Sequence, residues 1–313
     1  MTRFDLRLAF RLHRFEVIGF GTLVALLSIA AFVTAAQLDA TGYGANCWDG
    51  TQTTACEAMG RAFWGLQQTQ APMVQGILVA LPFLFGVLVG APLVARELER
   101  GTSRLAWSLA PSRVRWFIVR VVPGLVVVFG LAFVSGVALD RLMAATEPRL
   151  DLANAFAGFG SRGVVLAARA TFVFALGVAI GSAMGRVLPA LIMTAVIAFV
   201  GIAGGSYVHG RWLASEAIWV VTDSGTGNPG DLYFDQRIRL ADGRTLTWDQ
   251  VYEAYPSTDA SPGGPPPGAT QLALVVPGAR YGFVQAREVA ALAGASLVAL
   301  GVGALVVGRR RPG

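Results

Sequence analysis

Residues 17–36 read VIGFGTLVALLSIAAFVTAA, twenty residues without one ionisable side chain. At 1.5 Å per residue a helix of that length covers about 30 Å, the thickness of a bilayer's hydrocarbon core. Five more apolar runs follow, at 74–95, 121–139, 163–184, 187–208 and 289–308, and Arg169 in the fourth is the one charge among them. Composition points the same way: of 313 residues 54% are hydrophobic and 14% charged, where a soluble domain carries about a quarter charged. The first run is too long for the apolar part of a signal peptide and lacks a clear cleavage signal, so it reads as a span. The fold class expected is therefore an all-α polytopic membrane protein with six transmembrane helices. A small extracytoplasmic α+β insert is expected between spans five and six.

Arginine placement sets the expected orientation, because short positively charged loops stay in the cytoplasm. With the N-terminus inside, the inner side holds Arg3, Arg7, Arg11, Arg14, Arg96, Arg100, Arg104, Arg113, Arg115, Arg120, Arg186, Arg309, Arg310 and Arg311 against Asp5, Glu16, Glu97 and Glu99. The outer side then carries the other 11 arginines and 15 acids, so the net +6 divides into a strongly basic inner face and an acidic outer one. Both termini are expected in the cytoplasm of a multi-pass cell-membrane protein. The basic balance reflects topology and anionic lipid, not nucleic acid.

Four domains follow. Residues 1–16 hold Arg3, Arg7, Arg11 and Arg14 at helical spacing beside Phe4, Leu8, Leu12 and Phe15, which suits a cytoplasmic amphipathic helix at the membrane interface or a plain positive flank. Spans one to five occupy 17–208. Residues 209–283 form the insert, and 284–313 the sixth span with a basic tail. Cys47 and Cys56 are the only two cysteines and fall in the first outer loop. There a disulfide can persist, and closing so short a loop stabilises the fold by roughly 2.7 kcal/mol in the chain-entropy model.

Charges crowd where they are least expected, in RELERGTSRLAWSLAPSRVRW at 96–116, between two apolar runs. As a helix this loop would put Leu98, Thr102, Leu105 and Leu109 on one face and Glu97, Arg100, Arg104 and Trp107 on another, with Pro111 as its stop. Periodicity does not separate a membrane-surface helix, a partner-docking helix and a solvated loop.

The string Ala95-Arg96-Glu97-Leu98-Glu99-Arg100-Gly101-Thr102-Ser103-Arg104-Leu105-Ala106-Trp107, followed by SRVRW at 112–116, resembles the loop after the second span in actinobacterial type-2 ABC exporter permeases. The likeness extends to the six-span layout, the N-terminal helix, the Gly185-Arg186-Val187-Leu188-Pro189 turn and the large outer insert. It implies that the segment is a coupling helix seated on a separate ABC ATPase subunit, with Glu97, Glu99, Arg100, Gly101, Thr102 and Arg104 as the contact residues. It also implies a homodimer of permeases in a lipid bilayer, with ATP and Mg on the partner subunit and no cofactor on this chain. Drugs, antibiotics and lipid-like molecules are the implied substrates. All 25 basic residues are arginine. The phosphate-cradling GxxxxGK[ST] loop needs a lysine, so any ATP chemistry must come from another subunit.

Phe20, Thr22, Phe83, Phe85, Met193 and Phe199 are candidate lining residues of a substrate path between protomers, with ordinary helix packing as the competing reading. Pro82 and Pro92 are candidate kinks in span two. An ion-coupled secondary transporter or channel is the alternative function, and it needs ionisable groups near the bilayer midplane. Spans one, two, three and five have none, Glu288 sits at the end of span six, and Arg169 can snorkel, pair with another helix or bind an anion. An enzyme is not expected: His13 and His209 fall on opposite sides, no HExxH or GxSxG occurs, and neither a catalytic nor a metal site is assigned.

Within the insert, LYFDQRIRL alternates apolar and charged residues before Asp242-Gly243 and TLTW, the pattern of a hairpin. Thr247 and Gln250 have capping-box spacing for a short helix ending before Pro256. SPGGPPPG at 261–268 reads as a linker, and RWLASEAIWVV at 211–221 as an interfacial helix with Trp212 and Trp219 at headgroup level.

Overall fold

The computed structural model describes residues 3–44, 47, 53–103, 107–108, 112–222, 228–256 and 265–310, with side chains from Ile18 onward. Among the described residues seven α-helices and four strands have defined bounds: α1 (Arg3–Ala40), α2 (Thr54–Glu99), α3 (Arg113–Thr146), α4 (Gly163–Met184), α5 (Val187–Ser215), β1 (Ile218–Thr222), β2 (Leu232–Arg239), β3 (Thr245–Thr247), α6 (Trp248–Ala254), β4 (Thr270–Val276) and α7 (Tyr281–Arg309). Six of these helices are long and apolar enough to cross a membrane, which establishes the all-α polytopic class. The chain divides into two compact units: residues 1–149, 158–201 and 285–313 in the first, 150–157 and 202–284 in the second.

In the helical unit α2 and α4 form the centre. Their spanning windows are 56% and 61% buried, against 28% or less for the other four spans. Small residues explain the close approach, since without a hydrophobic driving force between helices in lipid, packing depends on how near two backbones can come. A Cβ on Gly86 would meet the carbonyl oxygen of Ala170 at 3.0 Å, one on Gly177 the amide nitrogen of Ala91 at 2.8 Å, and one on Gly181 would collide with the Ala91 carbonyl oxygen. Gly136 of α3 lies equally close to the Gly163 backbone at the start of α4. Around this seam one apolar cluster joins Ala31, Leu38, Phe63, Leu78, Leu139, Leu142 and Leu166. A second joins Val94, Phe117, Val121, Val128, Phe174, Val178 and Val307.

Helix ends follow local chemistry. Thr53 and Ser112 sit in extended conformation and accept from the backbone N–H groups of Cys56 and Arg115, starting α2 and α3. Gly185, at φ +66°, ends α4 in the left-handed conformation. α2 is 46 residues long, about 69 Å at 1.5 Å per residue, so it starts some twenty residues before the apolar run at 74–95. Pro82 and Pro92 both lie inside it, together with Pro72. Beside its first turn, Cys47 and Cys56 are joined as a disulfide with Cα atoms 5.5 Å apart. Tyr43 packs on Phe63 with ring centroids 5.1 Å apart. Residues 3–16 are helical and run without a break into the first span; their side chains, which would define an amphipathic face, lie outside the described set.

The second unit is a four-stranded antiparallel sheet in the order β1-β4-β2-β3. The hairpin read from LYFDQRIRL is present as β2 and β3, turning at Gly243 with φ +87°. Asp242 accepts from the Arg244 backbone N–H and side chain, which holds its carboxyl below the usual carboxylate range. Thr247 and Gln250 make the expected capping box for α6. Ile238, Leu240 and Val251 form one small apolar cluster of the unit.

Two expectations need correction. Residues 211–221 are not one helix: α5 ends at Ser215, and Ile218–Thr222 is a strand, the conformation favoured by its run of β-branched and aromatic residues. The insert also takes in the connection between α3 and α4. The Phe156 N–H donates to the Gly230 carbonyl at 2.9 Å, and Gly230 and Gly278 lie so close to the Asn154 carbonyl that neither could carry a side chain. Residues 261–264 of the linker lie outside the described residues.

Candidate functional site

The segment 96–116 is built differently from a single amphipathic helix. Arg96, Glu97, Leu98 and Glu99 are the last turn of α2, whose C-cap is Arg100. Gly101 has φ +71°, a conformation in which a side chain is strained, and it breaks the helical register. Thr102 follows, its hydroxyl donating to the Glu97 carbonyl at 3.4 Å. Ser103, Trp107 and Ser108 are helical; Arg104, Leu105, Ala106, Leu109 and Pro111 lie outside the described residues. Glu97 and Arg100 are therefore not continued in one helical register to Trp107, because a left-handed residue stands between them.

The turn is pinned to neighbouring helix ends. Glu97 forms an ion pair with Arg120 of α3, both side chains being less than one fifth exposed. A Glu99 carboxylate oxygen accepts from the backbone N–H of Val187 at 2.9 Å, satisfying one of the donors left open where α5 begins. Trp107 meets Trp116 edge-on at 6.1 Å, and the Arg113 guanidinium lies 4.8 Å from the Trp107 ring centroid. Leu98, Trp107 and Trp116 rest on the cluster of Leu93, Val94, Phe117 and Val121. Arg113 also donates to the Arg310 carbonyl, while Arg310 donates to the Ala183 carbonyl near the end of α4 at 2.7 Å. The ends of α2, α4 and α7 and the starts of α3 and α5 thus meet at one arginine-rich end of the bundle.

On the turn itself Arg96, Glu99, Arg100, Gly101 and Thr102 are exposed. Glu97 faces inward, which its position in the sequence does not reveal: Arg120 is 23 residues away with no periodic relation to it. Arg120, Arg113, Arg310 and the Val187 N–H are contributions that sequence spacing misses for the same reason.

Among the described contacts the six proposed path residues do not form one group. Phe20 and Phe85 pack edge-on between α1 and α2, with Phe85 buried beside Val24 and Leu81. Phe83 packs against the cluster containing Leu78 and Leu139. Thr22 is exposed on α1, and Met193 and Phe199 on α5, where Phe199 is 75% exposed. Arg169 pairs with Glu288 of α7 at 2.6 Å, so it is a helix-pairing arginine. Arg162, almost fully buried, lies 3.8 Å from Asp140. Among the described residues, no three His, Cys, Asp or Glu side chains gather as metal ligands would.

Comparison with curated proteins and with solved structures finds no match. Residues 20–208, more than half the chain, match the family described as ABC-2 membrane transporter related. The match covers the first five spans and the arginine-rich turn and stops short of the insert's sheet. The chain belongs to the ABC-2 membrane transporter related family, and is thus a multi-pass permease of an ABC transporter, a component that associates with an ABC ATPase.

Proposed function

We propose that this permease exports a hydrophobic or amphipathic substrate, of drug, antibiotic or lipid-like character, using ATP and Mg bound by a separate ATPase subunit. The observation that carries the reading is the construction of the arginine-rich end. Glu97 is held by Arg120 of α3 and Glu99 by the start of α5, and Arg100, Gly101 and Thr102 are exposed on a turn tied to five helix ends. A subunit pushing on that turn would move several spans at once. In this reading the arginine-rich end and both termini are cytoplasmic, two copies form a homodimer in the lipid bilayer, and Glu97 acts as an internal brace. Arg104 belongs with the contact residues on the resemblance alone.

The test is purification in mild detergent with identification of bound subunits, followed by the same experiment on Arg100→Glu. The expected result is a co-purifying ATPase that the wild type retains and the variant loses by at least about tenfold, as charged interface groups costing 2 kcal/mol or more imply. Ionophore-sensitive transport by the chain without an ATPase would favour the ion-coupled alternative.

A further inference from the structure

The two edges of the insert's sheet are finished differently. At one edge β3 is three residues long, and the Thr247 backbone N–H at its end donates to the Gln250 side chain of α6 at 3.0 Å. At the other edge β1, Ile218 to Thr222, pairs with β4 on one side, and on its other side no described residue bonds to its backbone. Ile218, Trp219 and Val221 are exposed, while Leu272, Ala273 and Val275 beside them on β4 are buried. The sequence IWVVT holds no charge, proline or glycine, and its register with β4 runs without a bulge. Those are the features with which proteins blunt a sheet edge, and β1 has none of them. Its five residues are a full strand by ordinary standards.

We propose that β1 is where the inserts of two copies of this chain join, each copy adding its β1 to the open edge of the other so that the two sheets become one. A row of outward N–H and C=O groups is matched by another extended strand. The occupant is a second β1 because the strand is self-complementary. A two-fold axis pairs two identical edges antiparallel. Outward-pointing backbone groups recur at every second residue, so residues facing each other across the axis are both odd or both even in number, and the axis passes through a residue. Val220, the middle of β1, gives the longest overlap: Ile218 faces Thr222 of the second copy, Trp219 faces its Val221, and Val220 faces its own counterpart. Trp219 with Val221 is an aromatic and β-branched pair of the kind that stabilises sheets; the symmetry makes it twice, and no like charges are brought together within the strand. The pairing rests on the homodimer of the reading above and not on its ATP-driven part.

Gln236 of β2, Ala273 of β4 and Val220 of β1 lie in one row across the sheet. When two copies join through Val220, their Gln236 Cα atoms are five strand spacings apart, about 24 Å. Nitroxides on Gln236→Cys, with Cys47 and Cys56 left in their disulfide, report this distance in the full chain in lipid nanodiscs, and native mass spectrometry counts the copies per disc. Two copies and a single distance at that spacing are expected. Val220→Lys puts like charges on the axis and is expected to add a longer population of at least about one tenth of the signal, as is Val220→Glu. Co-expression of the Val220→Lys and Val220→Glu chains is expected to cut that population by at least about half, which variants that merely misfold would not do. Two copies per disc whose Gln236→Cys labels lie well beyond the expected spacing overturn the β1 pairing and leave the homodimer standing, with the edge turned to lipid, solvent or another chain. One copy per disc overturns the homodimer and the pairing with it. An unchanged distribution in both charge variants, or a mixture no shorter than either alone, overturns Val220 as the axis.

Discussion

Glu97 pairs with the Arg120 guanidinium, and both side chains are largely withdrawn from solvent. Removing one partner strands the other charge, which in a buried setting costs about 3–5 kcal/mol; the partial exposure here lowers the expectation to about 1–3 kcal/mol. Glu97→Ala and Arg120→Ala should each lower the thermal unfolding midpoint in detergent, and Glu97→Gln/Arg120→Gln should sit closer to wild type than either. Arg100→Ala, on the exposed turn, should stay within about 0.5 kcal/mol. Equal destabilisation by all three single variants would remove the distinction between the internal brace and the outward surface. Glu97 and Arg100 are three residues apart in one motif, and only their surroundings tell their roles apart.

The pairing of α2 with α4 depends on glycines rather than on large apolar side chains. Gly181→Leu should abolish a monodisperse folded fraction on size exclusion, because the new side chain must enter the Ala91 carbonyl of the facing helix. Gly204→Ala in α5, where a Cβ meets nothing within 4 Å, should leave that fraction unchanged. A similar contrast of necessity appears in α6. Its capping box holds the first turn of a seven-residue helix, so Thr247→Ala should destabilise it by about 1 kcal/mol. Faster amide hydrogen exchange over residues 248–254, with β4 unaffected, is the expected signature. Long apolar runs and the turn chemistry of Asp242-Gly243 and Thr247-Gln250 were legible because each is local. β4 was not: TQLALVV is a short apolar run with no alternation to separate strand from helix, and its two neighbours in the sheet, β1 and β2, lie far from it in the chain.

At the scale of the molecule, the disulfide and the arginine-rich end make the proposed orientation measurable. Cys47 and Cys56 are bonded to each other, so an impermeant maleimide should leave intact cells unlabelled and should label both thiols once a reductant is added outside. Labelling that requires lysis as well as reductant would reverse the orientation and put the arginine-rich end outside. The insert adds a second molecular-scale feature, since residues 150–157 belong to it although they join α3 to α4. The chain therefore passes between the two units four times.

Sequence alone determined the class of this protein, because a bilayer imposes a length and a polarity on each span that six runs of residues meet without reference to one another. It determined the hairpin, the capped helix and the cysteine pair for the same reason: each is an interaction between residues close along the chain. The tertiary structure decided which charges are available. Glu97 closes on Arg120, Glu99 on the start of α5 and Arg169 on Glu288, and no periodicity encodes these, since each joins helices that meet only after the bundle has packed. It also decided that Gly86, Gly177 and Gly181 form the seam of the bundle, for a glycine in a long apolar run shows what it permits only when a second backbone lies against it.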